Sequence, residues 1–123
     1  MEANINPKRG EIWLVDLNPT IGQEINKQRT CLVVNDDIVG TLKNKTVVPI
    51  TEWKDAYKAV PWMVKLDMDA SNKLYKNSSA DCFQIRNVSK LRFVKKIGEI
   101  NGVLVKNVHQ TIMKTLDISY ELK

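Results

Sequence analysis

"EIWLVDLNPTIGQEINKQRTCLVVND", residues 11 to 36, holds two short apolar runs joined by a polar connection. "EIWLVDL" (11 to 17) and "TCLVVN" (30 to 35) carry apolar, often β-branched residues on both alternating faces, the pattern of strands covered on two sides. The connection "NPTIGQEINKQR" has Pro19 and Gly22 as turn residues and is longer than a tight hairpin needs, so it predicts an exposed, mobile loop. It brings Glu24, Lys27 and Arg29 to the mouth of the second run. A buried strand has no structural need of a charge there. Arg29 is either an ordinary solvated loop residue or a working one.

Outward from this stretch the chain continues in short strands. "KTVVPIT" (45 to 51) reads as a third, with Pro49 suggesting an edge or a bulge, and "WMVKL" (62 to 66) as a fourth with Trp62, Val64 and Leu66 on one face. "SADCFQI" (79 to 85) and "RFVKKIGEI" (92 to 100) supply a fifth and a sixth. In "NGVLVKNVHQTIMKTL" the period changes: Val105, Val108, Ile112 and Leu116 follow helical spacing, with Asn101 as N-cap and Gly102 weakening the first turn. The expectation is one α+β domain over residues 1–123, a small β-barrel with short helices and a C-terminal α-helix.

Composition narrows the function classes. The 123 residues carry 19 Lys and Arg against 14 Asp and Glu, a formal charge of +5 that favours polyanionic partners without identifying one. Cys31 and Cys82 lie far apart within apolar segments and read as buried free thiols; no CxxC or Cys/His cluster offers a metal site. No secretory leader or membrane span is expected, because "MEANINPKRG" lacks an apolar core and no run approaches about 18 apolar residues. A reduced, cytoplasmic setting follows. The single histidine, His109, falls on the C-terminal helix and reads as structural.

"EWKDAYK" (52 to 58) has two readings. Trp53 and Tyr57 with Lys54 and Lys58 offer rings for stacked bases and cations for phosphates, the combination that holds single-stranded RNA, or they form a plain cap on the barrel end. Trp13 and Trp62 fall on strand faces and read as core or dimer-contact residues.

"RGEIWLVDLNPTIGQE" (9 to 24), "QRTCLVVND" (28 to 36), "VVPIT" (47 to 51) and "FQIR" (83 to 86), in that order, resemble the MazF/PemK family of toxin endoribonucleases. The resemblance runs from Pro7 to Leu116. It implies an SH3-like barrel of the PemK/CcdB kind, assembled as a two-fold homodimer. It also implies metal-independent cleavage of single-stranded RNA, mRNA in the cell, with a cyclic phosphate and a 5′-hydroxyl as products, no cofactor, and an antitoxin partner with an acidic, disordered tail. Carried over by motif, the active-site arginine is Arg29, the threonine Thr51 and the loop glutamate Glu24. Gln84 and Arg86 come from the last motif and, with Lys27, Trp53 and Lys54, are the expected RNA contacts. Two positions depart from the pattern: Thr30 stands where a proline usually follows the arginine, and Phe83 where many members have an acid.

The chemistry supports these roles. Attack by the 2′-oxygen needs a proton acceptor, a cation for the charge gathering on the phosphoryl oxygens and a donor for the departing 5′-oxygen. The planar fork of Arg29 suits the second task and can serve the third, but with a pKa above about 12 it makes a poor base. Glu24 either takes the proton, orients Arg29 or is a solvated loop acid, and Asp81 is the other acid near the Phe83 gap. Gln84 and Arg86 either touch RNA or tie down the barrel rim. A CcdB-type gyrase poison and a catalytically inactive RNA-binding module are the rival classes. The pairing of Arg29 with Thr51 speaks against the first, and the missing acid at Phe83 keeps the second open.

Overall fold

The computed structural model describes residues 5–17, 28–40 and 42–118. Seven strands and one long helix follow in the order β1 (Glu11–Asp16), β2 (Gln28–Val33), β3 (Asn44–Glu52), β4 (Met63–Leu66), β5 (Ser78–Asp81), β6 (Arg86–Ser89), β7 (Phe93–Glu99) and α1 (Gly102–Thr115). The strands form one antiparallel sheet in the order β4-β5-β3-β2-β1-β7, with β6 also on β3. It is barrel-like but open: among the described residues its end strands β4 and β7 do not pair with each other.

Period-2 alternation divides the apolar residues between the two faces of this sheet. Ile12, Leu32, Val48 and Ile50 join Val64, Leu66 and Ala80 in one cluster, which Val108 and Ile112 of α1 cover. Trp13, Val15, Cys31, Val33 and Val47 join Val88 and Phe93 in a second cluster, where the Trp13 and Phe93 rings meet edge to face at 5.7 Å. This is why the runs at 11 to 17 and 30 to 35 are apolar on both faces. Each fully buried Val, Leu or Ile contributes roughly 1.5–3 kcal/mol.

Three expectations are corrected. Pro49 marks neither an edge nor a bulge, because β3 is a central strand: it pairs with β2, with β6 along residues 44 to 47, and with β5 along residues 50 to 52. Pro49 falls in the gap between the last two, where a missing N–H costs little. The fifth strand ends at Asp81, and Cys82–Gln84 is a 3-10 turn that swings the chain into an additional strand, β6. Leu116 lies past the end of α1 and is exposed, while Val105, Val108 and Ile112 are buried as their spacing predicts.

Asn101 caps α1, its side chain accepting from Leu104 N at 2.9 Å. His109 Nε2 donates to the Val34 carbonyl at 2.8 Å and pins the helix to the end of β2. Trp62 lies just before β4, partly exposed, with its ring 5.6 Å from that of Phe83.

Candidate active site

Arg29 reaches its position through strand parity. It is two residues before Cys31 and four before Val33, so it shares their face of β2 but lies beyond the end of the apolar cluster. Leu17 continues Trp13 and Val15 in the same way, Pro49 continues Val47, and Arg86, paired with Val47, continues Val88. Where these rows run out, Leu17, Arg29, Pro49, Gln84 and Arg86 line a hollow of about 140 Å³. A slip of one residue in β2 would put Thr30 there instead.

Two guanidiniums therefore converge on one small hollow. Among the described residues neither Arg29 nor Arg86 has an ion-pair partner. Their field reaches the next residue on the same face of β2: burial pushes the Cys31 thiol up to about 12, and both arginines oppose that rise. Like charges held together without a carboxylate suit an anion that binds from outside.

Thr51 occupies the neighbouring hollow, also about 140 Å³, lined by Thr30, Glu52, Tyr75 and Lys76 among others. Both hollows draw on β2 and β3: Arg29 and Thr30 are consecutive on β2, and Thr51 lies two residues beyond Pro49 on β3. Glu52 carries an ion pair with Lys76 at 3.4 Å, both side chains exposed. Glu24 and Lys27 lie outside the described residues.

Trp53 and Lys54 follow the end of β3 and line neither hollow. Trp53 is half-buried, packed edge to face on Tyr57 at 5.8 Å, with the Lys65 ammonium 5.2 Å from its ring centre. Its packing has the character of a cap over the barrel end, and Lys54 is exposed beside it. Phe83 is 66% exposed, so the side chain standing where many family members have an acid points to solvent.

Sequence reasoning passed over Tyr75 and Lys76. Tyr75 is 87% exposed beside Thr51's hollow, with Lys76 Nζ 5.3 Å from its ring centre. The signal was there, because "LYK" (74 to 76) repeats the aromatic-lysine pair of "EWK" (52 to 54). Only the fold brings the second pair to β3. Among the described residues no group of three or more His, Cys, Asp or Glu could hold a metal ion.

Residues 8–116 match the family described as "PemK-like, MazF-like toxin of type II toxin-antitoxin system". The chain belongs to this toxin family. The toxin is 31% identical over 117 residues to the endoribonuclease MazF9 of Mycobacterium tuberculosis, an alignment that covers 90% of this chain and 97% of the relative. It is 26% identical to the endoribonuclease EndoA of Bacillus subtilis, covering 89% and 93% of the two chains. Its fold is that of the Deinococcus radiodurans MazF crystal structure, with a TM-score of 0.73 at 17% identity, 94% of this chain and 100% of that one being covered. A further structural neighbour, at TM-score 0.71 and 15% identity over 94% of this chain and 100% of the other, is a mycobacterial endoribonuclease in complex with its cognate antitoxin.

Proposed function

We propose that this toxin is an endoribonuclease that cuts single-stranded RNA, mRNA in the cell, through the RNA's own 2′-hydroxyl. The observation that carries the reading is the pair of guanidiniums, Arg29 and Arg86, with no carboxylate partner among the described residues, beside Gln84 in one hollow. The scissile phosphate lies against Arg29, whose two-pronged grip holds the phosphoryl oxygens as charge gathers on them. Thr51, two residues beyond Pro49 on β3, adds a hydroxyl donor. Arg86 and Gln84 hold the neighbouring nucleotide, while Lys27, Trp53 and Lys54 extend the track for the strand.

The 2′-oxygen is the nucleophile, so the reaction as proposed calls on neither a metal nor a cofactor. Phosphorus–oxygen bond formation to the 2′-oxygen accompanies loss of the 5′-oxygen, which takes a proton from Arg29, leaving a cyclic phosphate and a 5′-hydroxyl. Glu24 takes the proton from the 2′-hydroxyl, because Phe83 supplies no acid and Asp81 bonds Gln84 instead. Control by an antitoxin with an acidic tail, a two-fold homodimer and a cytoplasmic setting belong to the same reading. No helix of the described residues is long and apolar enough to cross a membrane.

Mapping 5′ ends after incubating a long RNA with the purified chain tests the proposal. Discrete cuts bearing 5′-hydroxyls, undiminished in excess chelator, are expected. A strict need for an added divalent ion would count against the metal-free mechanism, and no cleavage across a varied RNA set would turn the reading toward an inactive RNA-binding module or a poison with a protein target. A strand carrying deoxyribose only at the nucleotide 5′ to the cut should bind and resist cleavage. Losing one hydroxyl hydrogen bond weakens its binding by about 0.5–1.5 kcal/mol at most.

A further inference from the structure

Asp81 ends β5 with only 8% of its surface exposed. Its Oδ2 accepts from Gln84 Nε2 at 2.7 Å across the 3-10 turn, and its buried Oδ1 has no hydrogen-bond partner among the described residues. A buried carboxylate that serves only stability is ordinarily met by a cation or several donors. Asp81 meets one side-chain amide, and that amide belongs to a residue lining the Arg29 hollow.

An ionised carboxylate can only accept, so the amide must meet it with its nitrogen. Gln84 Oε1 is thereby turned away from Asp81, and among the described residues it accepts no hydrogen bond. Resting on the nuclease reading above, we propose that Asp81 is a positioning residue: it locks the Gln84 amide so that its carbonyl oxygen faces the RNA beside the two arginines. The hollow then presents one acceptor among donors. It selects a nucleotide that offers an N–H or O–H next to the gripped phosphate, either a base N–H or a ribose 2′-hydroxyl. Without the carboxylate the amide can present either end, and the selection is lost.

The lock has a structural signature. In the full chain, the side-chain NH2 resonances of Gln84 should shift in Asp81→Asn, since the charged acceptor is gone; unchanged resonances would overturn the proposal. This readout needs no RNA, so it decides the lock even if the native chain cuts nothing, a result that would sink the nuclease reading by itself.

Cleavage kinetics read the consequence. RNAs are compared in which one donor at a time is removed, by 2′-deoxy substitution at the nucleotide 3′ to the cut or by N-methylation of a flanking base. The native chain should lose about five- to tenfold in kcat/KM on one of these, mainly through KM, the size of one hydrogen bond, and the arm that responds identifies the donor. Asp81→Asn and Gln84→Ala should each erase that discrimination, and the double variant should lose no more than either alone. Asp81→Asn should melt no lower than the native chain, because it removes a buried charge with an unmet oxygen. Full discrimination in Asp81→Asn, losses that add in the double variant, indifference of the native chain to every analogue, or a drop in melting temperature with discrimination intact would each overturn the assignment.

Discussion

Arg29 carries the heaviest functional load of any single side chain in the proposed site. Arg29→Ala should lower the cleavage rate on the order of a hundredfold or more, as loss of a preset donor at a developing oxyanion does elsewhere. Arg29→Lys should recover little, because an ammonium is a point charge without the planar fork. Both variants should fold, since Arg29 is exposed and its removal leaves the apolar cluster below it untouched; a folded Arg29→Ala chain that cuts at the native rate would remove the residue from the mechanism. The acid is tested in the same assay. Glu24→Gln should abolish most of the rate, whereas Glu52→Gln, whose carboxylate already pairs with Lys76 in Thr51's hollow, should leave it within a few fold; the reverse order would make Glu52 the proton acceptor. The cysteines give a prediction of a different kind. Burial pushes both thiols from the ordinary 9.0 up to about 12, for Cys31 against the pull of Arg29 and Arg86 and for Cys82 with the aid of the Asp81 charge. Above about pH 9 the unfolded chain releases these protons while the folded chain keeps them, so their contribution to stability is complete below that pH and falls as pH rises toward 12. At about pH 8 neither should be alkylated in the native chain and both should react once it is unfolded. Ready alkylation of the folded chain would place a thiol at the surface.

At the scale of elements, the tightest constraint outside the site is where β7 crosses the loop before Leu74. A Cβ on Gly98 would come within 2.4 Å of the Asn72 carbonyl oxygen and 2.6 Å of that of Ser71, both backbone atoms. The loop cannot yield easily, because buried Asn72 accepts from Asp69 N and Leu74 N and donates to the Asp67 carbonyl. Gly98→Ala should therefore cost about 1–3 kcal/mol in a denaturant titration, the usual penalty for overpacking, and a stability within experimental error of native would mean the crossing is looser than this. The helix, β1 and β2 were legible from apolar spacing because each keeps one period over its whole length. β6 was not, since "RNVS" has one buried residue, Val88, and is recruited only because the 3-10 turn at Cys82–Gln84 delivers it to β3. The same locality limits the site. Arg29, Gln84 and Arg86 could be named from motifs, but their convergence depends on β2, β3 and β6 lying side by side, a pairing of distant segments that local sequence does not encode. Tyr75 escaped notice for that reason, as did the turn of Asp81 onto Gln84. Pro49 misled because a proline in a central strand is rare without a change of strand partner at that point.

For the whole molecule, the exposed apolar residues and the basic charge point to one competition. Pro61, Trp62, Phe83, Lys114 and Thr115 line a hollow of about 230 Å³, largely apolar with a lysine at its edge, and Phe83 is the chain neighbour of Gln84 in the Arg29 hollow. On the proposed function, an acidic antitoxin tail carrying apolar side chains would bind this surface, its side chains entering the Trp62–Phe83 hollow and its carboxylates reaching the arginines that the substrate phosphates would otherwise use. Tail peptide and uncleavable deoxy-substituted RNA should then displace each other, and Phe83→Ser should weaken the peptide more than the RNA. Salt separates the contributions. RNA affinity should fall with a slope of about −0.7 in log K against log salt for each phosphate neutralised, and Arg86→Ala should reduce that slope by roughly one such step. The peptide, held partly by apolar contact, should respond less steeply, since burial of apolar surface is not screened by simple salt. If peptide and RNA bind together without affecting each other, the tail lies on another face and inhibition does not act by covering the arginines. If Phe83→Ser leaves peptide affinity unchanged while competition persists, the overlap is confined to the charged hollow, and the aromatic pair has a different partner, a second copy of this chain being the first to test.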